Sequence, residues 1–184
     1  MGNPLHVPCI LLTLPMNAKR YRYRSGAPFL PAFIGSGYGV GFCPLGPGTA
    51  GAFLAALLWY VMSCFLADPE LKLATLALVL LFYMLGVWAA NRLSSYWGED
   101  PSRVVIDEMV GVWITLLAVP AGHLWYAIAA FVLFRFFDIV KPMGVRLMEK
   151  MRGGTGVMMD DVLAGIYGFM VLYVVQNIIV PLWD

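Results

Sequence analysis

The chain has 184 residues, of which 61% are hydrophobic and only 12% are charged, and its mean hydropathy is +0.79. This composition excludes an ordinary soluble domain, which could not bury so much apolar surface, and predicts a protein that crosses a membrane several times. The net charge of +1 excludes a broad electrostatic surface for nucleic acid, and three cysteines without a CxxC spacing favour neither a disulfide framework nor a zinc site.

The N-terminal part of the chain divides into a tail and the beginning of a membrane domain. Residues 1–26 are interpreted as a cytoplasmic or interfacial tail, and residues 27–184 as one integral-membrane domain. The segment 29–40 is apolar but broken by glycine, which predicts a re-entrant or interfacial helix. The following stretch, residues 35–51, is rich in glycine and proline and ends where a helix begins. It is either a re-entrant turn or an anion-binding loop, and Thr49 is the expected N-cap or hydroxyl contact.

Five apolar segments are long enough to predict membrane-spanning helices, so the expected fold is an all-α polytopic bundle. Proline marks several of their boundaries, because it lacks the N–H that a helix interior needs. The predicted spans are residues 49–67, 71–93, 104–119, 123–140 and 158–183.

The distribution of Lys and Arg between these segments predicts the orientation. The N-terminal tail and the fourth loop each carry four basic residues, the second loop two, the first loop one and the third loop none. Short cytoplasmic loops are enriched in Lys and Arg. The N-terminus is therefore expected in the cytoplasm and Asp184 on the far side.

Charged side chains also interrupt the apolar second half of the chain. Such a charge costs about 2.5–3.5 kcal/mol at the centre of a membrane helix, so it needs a partner or a polar cavity. In the predicted topology all of them fall at the cytoplasmic ends of the third, fourth and fifth spans, which predicts one cavity open to the cytoplasm. Its wall would hold Asp107, Glu108, Arg135 and Asp138, with Asp160 and Asp161 at its lip and Lys141 at the end of the same helix as Arg135.

The paired acids allow a structural and a functional interpretation. Asp107 and Glu108 could complement the positive end of a helix dipole, and Asp160 and Asp161 could serve as an N-cap and a first-turn acid. Both pairs on one face instead favour a cation site. Oxygen ligands of this kind suit Mg²⁺, which is commonly completed by phosphate and water.

The basic residues are spaced to pair along one helix. Arg135, Asp138 and Lys141 follow each other at intervals of three, so they could form an ion ladder that makes the helix end tolerable. Alternatively Arg135 and Lys141 bind phosphate, Arg135 in a bidentate manner. The two interpretations are compatible.

Several catalytic schemes lack their residues. The only histidines are His6 and His123, one in the tail and one on the predicted far side, so a histidine nucleophile is excluded. No CxxxxxR, DxDG or DGxxAR motif is present. What remains is metal-activated water, or a carboxylate base that positions it.

Four stretches carry a resemblance to a known family: GSGYGVGFCPLGPGTAG, VVIDEMVGVWITL, FRFFDIVKP and GGTGVMMDDVLAG, in that order. With them the chain resembles the phosphatidylglycerophosphatase A family of bacterial membrane phosphatases. The resemblance implies Mg²⁺-dependent hydrolysis of phosphatidylglycerophosphate to phosphatidylglycerol and phosphate at the inner membrane. It also implies a set of acidic site residues with two basic partners: Asp107, Glu108, Asp138, Asp160 and Asp161, with Arg135 and Lys141.

Two other functions remain compatible with the sequence. A membrane transporter or channel with a cytoplasmic cation-binding vestibule would also place charges in a polar cavity, although it should distribute them along a path to the far side. A phosphatase for another lipid phosphate would need the same groups. In the favoured interpretation Asp107, Glu108, Asp160 and Asp161 bind Mg²⁺, and Arg135, Lys141 and Thr49 contact the phosphate.

Overall fold

The computed structural model describes residues 26–98, 101–142, 144–148 and 153–179, and these form helices and turns without a strand. The predicted tail therefore lies outside the described residues, except for Gly26, and so does Asp184. In chain order the elements are α1 (Phe29–Gly35), a 3-10 turn (Val40–Phe42), α2 (Pro47–Ser63), α3 (Asp68–Trp97), α4 (Ile106–Leu116), α5 (Leu124–Val140), α6 (Val145–Met148), α7 (Gly154–Val174) and a π-helical turn (Val175–Ile179).

The all-helical class is confirmed, whereas the predicted count of about five spans is not. Only α3 and the segment Gly154–Ile178 are long and apolar enough to cross a membrane among the described helices. The helices at the other three predicted spans, α2, α4 and α5, have 17, 11 and 17 residues. At 1.5 Å per residue α4 extends about 16 Å, roughly half of a hydrocarbon core. The five-span topology stays a prediction.

Helix α4 lies at the centre of the bundle, where it packs against α2, α3, α5 and α7. Its side chains are almost all buried, which agrees with its apolar sequence after the two acids of its first turn. Glycines on both helices let α7 approach α4 closely. A β-carbon at Gly111 would lie 2.8 Å from the carbonyl oxygen of Asp161, and one at Gly165 would collide with the carbonyl oxygen of Gly111. Small residues of this kind let helix backbones approach each other.

Side-chain contacts fix the direction of α2 and α7 relative to α4. Thr115, one turn after Gly111, donates a hydrogen bond to the Gly165 carbonyl at 3.0 Å, so α4 and α7 run parallel. Gly48, the second residue of α2, lies against the side chain of Glu108, the third residue of α4. The starts of α2, α4 and α7 consequently lie at the same end of the bundle.

Helices α3 and α5 run in the opposite direction. The backbone N–H of Gly154, at the start of α7, donates to Asn91 Oδ1 near the end of α3 at 2.7 Å. A β-carbon at Gly111 would collide with the ring of Phe134, in the second half of α5. We call the end that collects these three starts and two endings the acidic end, because Asp107, Glu108 and Asp161 lie there; the other is the opposite end.

The glycine-rich loop folds back onto α4. Helix α1 is shorter than predicted, and its last carbonyl, on Gly35, accepts a hydrogen bond from the N–H of Val105 at 2.9 Å. The next turn lies deeper in the bundle, since a β-carbon at Gly37 would be 3.1 Å from Sδ of Met109, which is one turn after the start of α4. The chain then returns through the 3-10 turn to the start of α2. The re-entrant and anion-binding interpretations of the loop both stay predictions.

Candidate active site

Three carboxylates from two helices meet at the acidic end. One side-chain oxygen from each of Asp107, Glu108 and Asp161 lies within 4.8 Å of the other two. Asp107 is 6% exposed and Asp161 is 5% exposed. Two negative charges at that separation repel by about 3 kcal/mol at an effective dielectric constant of about 20. The fold therefore holds three acids where only a cation or bound protons would make them stable together.

The position of Asp160 and Asp161 corrects the predicted one. Helix α7 begins at Gly154, four residues before the predicted start, and its N-cap is Gly153. The acids are thus the seventh and eighth residues of α7, and the interpretation as an N-cap and first-turn acid is wrong. The predicted place at the lip of a cavity is also wrong for Asp161, which is buried in the cluster.

The two adjacent acids of α7 have different partners. Asp161 faces α4, whereas Asp160 Oδ2 accepts a hydrogen bond from Lys141 Nζ at 3.0 Å. Neighbouring residues on a helix point about 100° apart, so they cannot both face α4. Lys141 is the C-cap of α5 and has a left-handed backbone, with φ of 46°. Asp160 is not one of the three acids whose oxygens lie within 4.8 Å of one another.

The predicted pairing of Arg135 with Asp138 is confirmed. Arg135 Nη1 lies 2.5 Å from Asp138 Oδ2, and the two side chains are 17% and 14% exposed. Asp138 is close enough to Glu108 and Asp161 for its charge to act on both. The ion pair therefore borders the carboxylate cluster.

Two buried polar atoms at the cluster lack a hydrogen-bond partner within the described part of the chain. They are Glu108 Oε2 and Arg135 Nε. Leaving such an atom without a partner costs about 1–3 kcal/mol, so native proteins rarely tolerate it unless a ligand, ion or water supplies the missing contact. An unmatched acceptor and an unmatched donor at one place suit a site that takes both a cation and an anion.

The start of α2 completes the site, and sequence reasoning missed the residue responsible. A β-carbon at Gly48 would collide with Glu108 Oε1 and would lie 3.5 Å from Arg135 Nη1. Only a glycine there leaves room for both side chains. A Gly-Pro-Gly sequence at a helix start was the available signal, because Pro47 at the first helical position sets where α2 begins.

The prediction for Thr49 is wrong in one respect. The N-cap of α2 is Gly46, with φ of 71° and no side-chain capping bond. Thr49 is the third helical residue and is exposed. Its expected contact with phosphate stays a prediction.

The opposite end carries polar groups but no comparable cluster among the described residues. His123 precedes α5 there, and its Nδ1 lies 2.9 Å from the carbonyl oxygen of Ala121. It is twelve residues, or about 18 Å, from Arg135 along the helix direction. A cavity of about 700 Å³, lined by Lys72 and Pro120 among others, is also at that end. The exclusion of His123 from the site is confirmed.

The chain is similar to known proteins over most of its length. The sequence model of the phosphatidylglycerophosphatase A family matches residues 33–176. Phosphatidylglycerophosphatase A of Escherichia coli is 36% identical over 143 residues, covering 77% of this chain and 80% of the relative. The Haemophilus influenzae protein of the same name is 37% identical over 142 residues, covering 76% and 85%. A Bacteroides thetaiotaomicron protein named "Putative phosphatidylinositol-3-phosphatase" is 60% identical over 153 residues, covering 82% and 96%. No solved structure matches the chain significantly.

These matches identify an enzyme that removes phosphate groups. The chain belongs to the phosphatidylglycerophosphatase A family. The predicted family and the predicted phosphatase class are confirmed, and the transporter or channel alternative is not favoured. The matched region contains all four sequence stretches on which the resemblance was based.

Proposed function

We propose that this protein hydrolyses the terminal phosphate of phosphatidylglycerophosphate, giving phosphatidylglycerol and inorganic phosphate in phospholipid biosynthesis. The observation that carries the proposal is the buried cluster of Asp107, Glu108 and Asp161 beside Arg135, in a chain of this family. The protein would act in the bacterial inner membrane with the acidic end facing the cytoplasm. The Lys and Arg bias of the loops and the two long apolar helices support that location.

We further propose that Mg²⁺ is the cation of this site. The described donor set consists of carboxylate oxygens, which a hard ion prefers, and Glu108 Oε2 still has a free position. Asp107, Glu108 and Asp161 would hold the ion, and Asp160 would be a ligand only after leaving Lys141. When bound, Mg²⁺ would activate water and neutralise charge on the phosphate.

The chain's own basic groups are assigned to the phosphate. Arg135 and Lys141 each stand in an ion pair with a carboxylate, Asp138 and Asp160 respectively. These pairs fix the direction of the two cations before substrate binds, which reduces the ordering cost on binding. The two cations would stabilise the negative charge that spreads over the phosphate oxygens during transfer.

The proton that water loses needs an acceptor. We assign this task to Asp138, which borders the cluster and is held by Arg135. Water would form the new bond to phosphorus, the bond from phosphorus to the glycerol oxygen would break, and the proton that Asp138 took from water would pass to the leaving alcohol. The burial of the acids keeps bulk water away from these groups and strengthens their electrostatic effect.

A second substrate is favoured by one observation. The Bacteroides thetaiotaomicron relative is 60% identical to this chain, well above the two proteins named phosphatidylglycerophosphatase A, and its name refers to a phosphoinositide. Both candidate substrates carry a phosphate monoester on a polyol head group of a diacyl lipid. The same cluster could act on either lipid, so the two candidates differ only in the head group that the protein must accept.

Phosphate release from defined lipids tests the proposal. Purified protein would be given phosphatidylglycerophosphate or phosphatidylinositol 3-phosphate at equal concentration in mixed micelles with Mg²⁺, alongside Asp107→Asn and Asp161→Asn. We expect release from phosphatidylglycerophosphate by the wild type and loss of release in both variants. A preference for the phosphoinositide would show that it is the substrate instead. Full activity in both variants would show that these acids do not form the active site. A folded wild type that is inactive on both lipids would contradict the proposed activity.

A further inference from the structure

An apolar groove runs along the surface between α2 and α5. Its volume is about 360 Å³. Both helices that form it also contribute to the candidate site, α2 through Gly48 and α5 through Arg135. The lining is apolar apart from one tyrosine: Phe53, Ala56, Leu57 and Tyr60 on α2, and Leu124, Ala127, Ile128, Phe131 and Val132 on α5.

We propose that this groove binds one acyl chain of the substrate while the phosphate lies at Arg135. The inference rests on the proposed function for the identity of the lipid. It adds a second binding site, made of different residues, which would select diacyl lipids over water-soluble phosphate esters.

The position of the groove relative to the site supports this occupant. Phe131 precedes Arg135 by four residues on α5, which is about 6 Å along the helix, and Phe53 follows Gly48 by five residues on α2, which is about 7.5 Å. Gly48 and Arg135 are themselves neighbours, since a β-carbon at Gly48 would lie 3.5 Å from Arg135 Nη1. The groove therefore begins one to two helical turns from the phosphate-binding groups, a gap that a phospholipid head group can bridge.

The shape of the groove comes from a pattern of small and large residues. Ala56 and the buried Ala127 form its floor, while Leu57 and Ile128 are 47% and 43% exposed at its rims. The rings of Phe53 and Phe131 meet edge to face at the site-proximal end, with centroids 6.4 Å apart. An alkyl chain fills such a groove without leaving any of its own polar atoms unpaired, and its methylenes gain close van der Waals contacts with the groove walls.

The larger cavity does not offer the same continuity. It lies at the opposite end, lined by Lys72 and Pro120, and a chain bound there would be separated from Arg135 by most of the length of the bundle. The groove between α2 and α5 is also open on its outer side, so a lipid could move in laterally from the bilayer without leaving it.

Steady-state kinetics with a filled groove provides the first test. Ala56→Phe places a ring on the floor of the groove, and Ala77→Phe on the exposed face of α3 is the matched control. With a dioleoyl substrate we expect Ala56→Phe to raise KM by about tenfold or more, because chain contacts of a few methylenes are lost, while Ala77→Phe has no effect. With the dibutanoyl form of the same lipid, whose chains barely reach the groove, the two variants should not differ. Equal KM values for both variants with the dioleoyl lipid would overturn the proposal.

Photolabelling provides a second test that does not require turnover. The probe is a lipid phosphate with a diazirine in the middle of one acyl chain, bound to the wild type and then irradiated. We expect labels on Leu57 and Ile128, and their loss in Ala56→Phe but not in the matched Ala77→Phe control. Labels spread equally over α3 would overturn the groove. If instead Ala56→Phe dissociates a dimer, a second copy of the chain occupies this face. A wild type that hydrolyses no lipid would contradict the proposed function. The labelling pattern would still show whether an acyl chain binds in the groove.

Discussion

The two ends of the bundle differ in the burial of their acidic side chains. At the acidic end Asp107 and Asp161 are 6% and 5% exposed and face one another across α4 and α7. At the opposite end Asp68 is exposed, and its Oδ1 accepts the N–H of Ala121, 53 positions further along the chain, at 2.7 Å. The same helices connect both ends.

This difference shows that the fold does not require buried acids. A connection between helices needs only exposed hydrogen bonds of the kind that Asp68 makes, and these cost little. Bringing three carboxylates together lowers stability unless something binds them. The cluster at the acidic end therefore reflects a function, and matched changes at the two ends should separate function from stability.

The largest contrast is expected from removing one acid at each end. Asp107→Asn and Asp161→Asn should each lower phosphate release by about 100-fold or more, because they remove ligand charge where the reaction needs it. Both should leave the melting temperature unchanged or higher, since they relieve repulsion between buried charges. Asp68→Asn keeps an acceptor oxygen and should retain nearly full activity. Comparable losses in all three variants would erase the distinction between the ends.

A second contrast uses glycine. In Gly48→Ala the new methyl group would displace the Glu108 carboxylate, and a shift of about 1 Å in a catalytic group lowers the rate by about 100-fold. Gly122, at the opposite end, has φ of 75° and open space around a β-carbon. Gly122→Ala should lower the free energy of unfolding by about 1 kcal/mol through backbone strain, with activity retained. Activity assays and thermal denaturation of both variants measure this, and a fully active Gly48→Ala would show that Glu108 does not need its present position.

A third contrast concerns the bases. Arg135→Lys keeps a positive charge but loses the planar fork that grips phosphate through two bonds, so KM should rise by about tenfold. Lys72→Gln at the opposite end removes a whole charge and should leave KM unchanged. Kinetics over a range of lipid concentrations would distinguish them. A greater effect of Lys72→Gln would move the phosphate site to the cavity of the opposite end.

The smallest effect on activity is expected in the apolar region near the opposite end. The Thr75 hydroxyl accepts from Trp59 Nε1 at 2.9 Å and donates to the Leu71 carbonyl at 2.7 Å. Thr75→Val would leave the indole N–H buried without a partner, which costs about 1–3 kcal/mol of unfolding free energy. Activity per folded molecule should not change. A stable but inactive Thr75→Val would mean that the two ends are coupled.

The meeting of the acids could be predicted because few charges enter apolar helices without a partner. The predicted spans alternate in direction, so the starts of α4 and α7 and the end of α5 were expected at one end. Asp107, Glu108 and Asp161 do meet there. The family resemblance depended on the same stretches. Short-range pairing was also readable from spacing, as the ion pair of Arg135 with Asp138 shows.

What the sequence did not reveal depends on contacts between distant residues. The start of α7 is set by Asn91, whose side chain binds the N–H of Gly154 from 63 positions away, and this shift separates the roles of Asp160 and Asp161. Gly48 carries no chemistry of its own, and its importance appears only when Glu108 is seen beside it.

The central claim is that acids from α4 and α7 share one divalent cation that hydrolysis requires. Its most direct test is a Mg²⁺ titration of phosphate release from phosphatidylglycerophosphate, after chelation, for the wild type and Asp161→Asn. The account predicts no release without a divalent ion, saturable activation of the wild type, and activation of the variant only at much higher Mg²⁺ or not at all. Full activity of the chelated wild type, or the same Mg²⁺ dependence in both proteins, would contradict it.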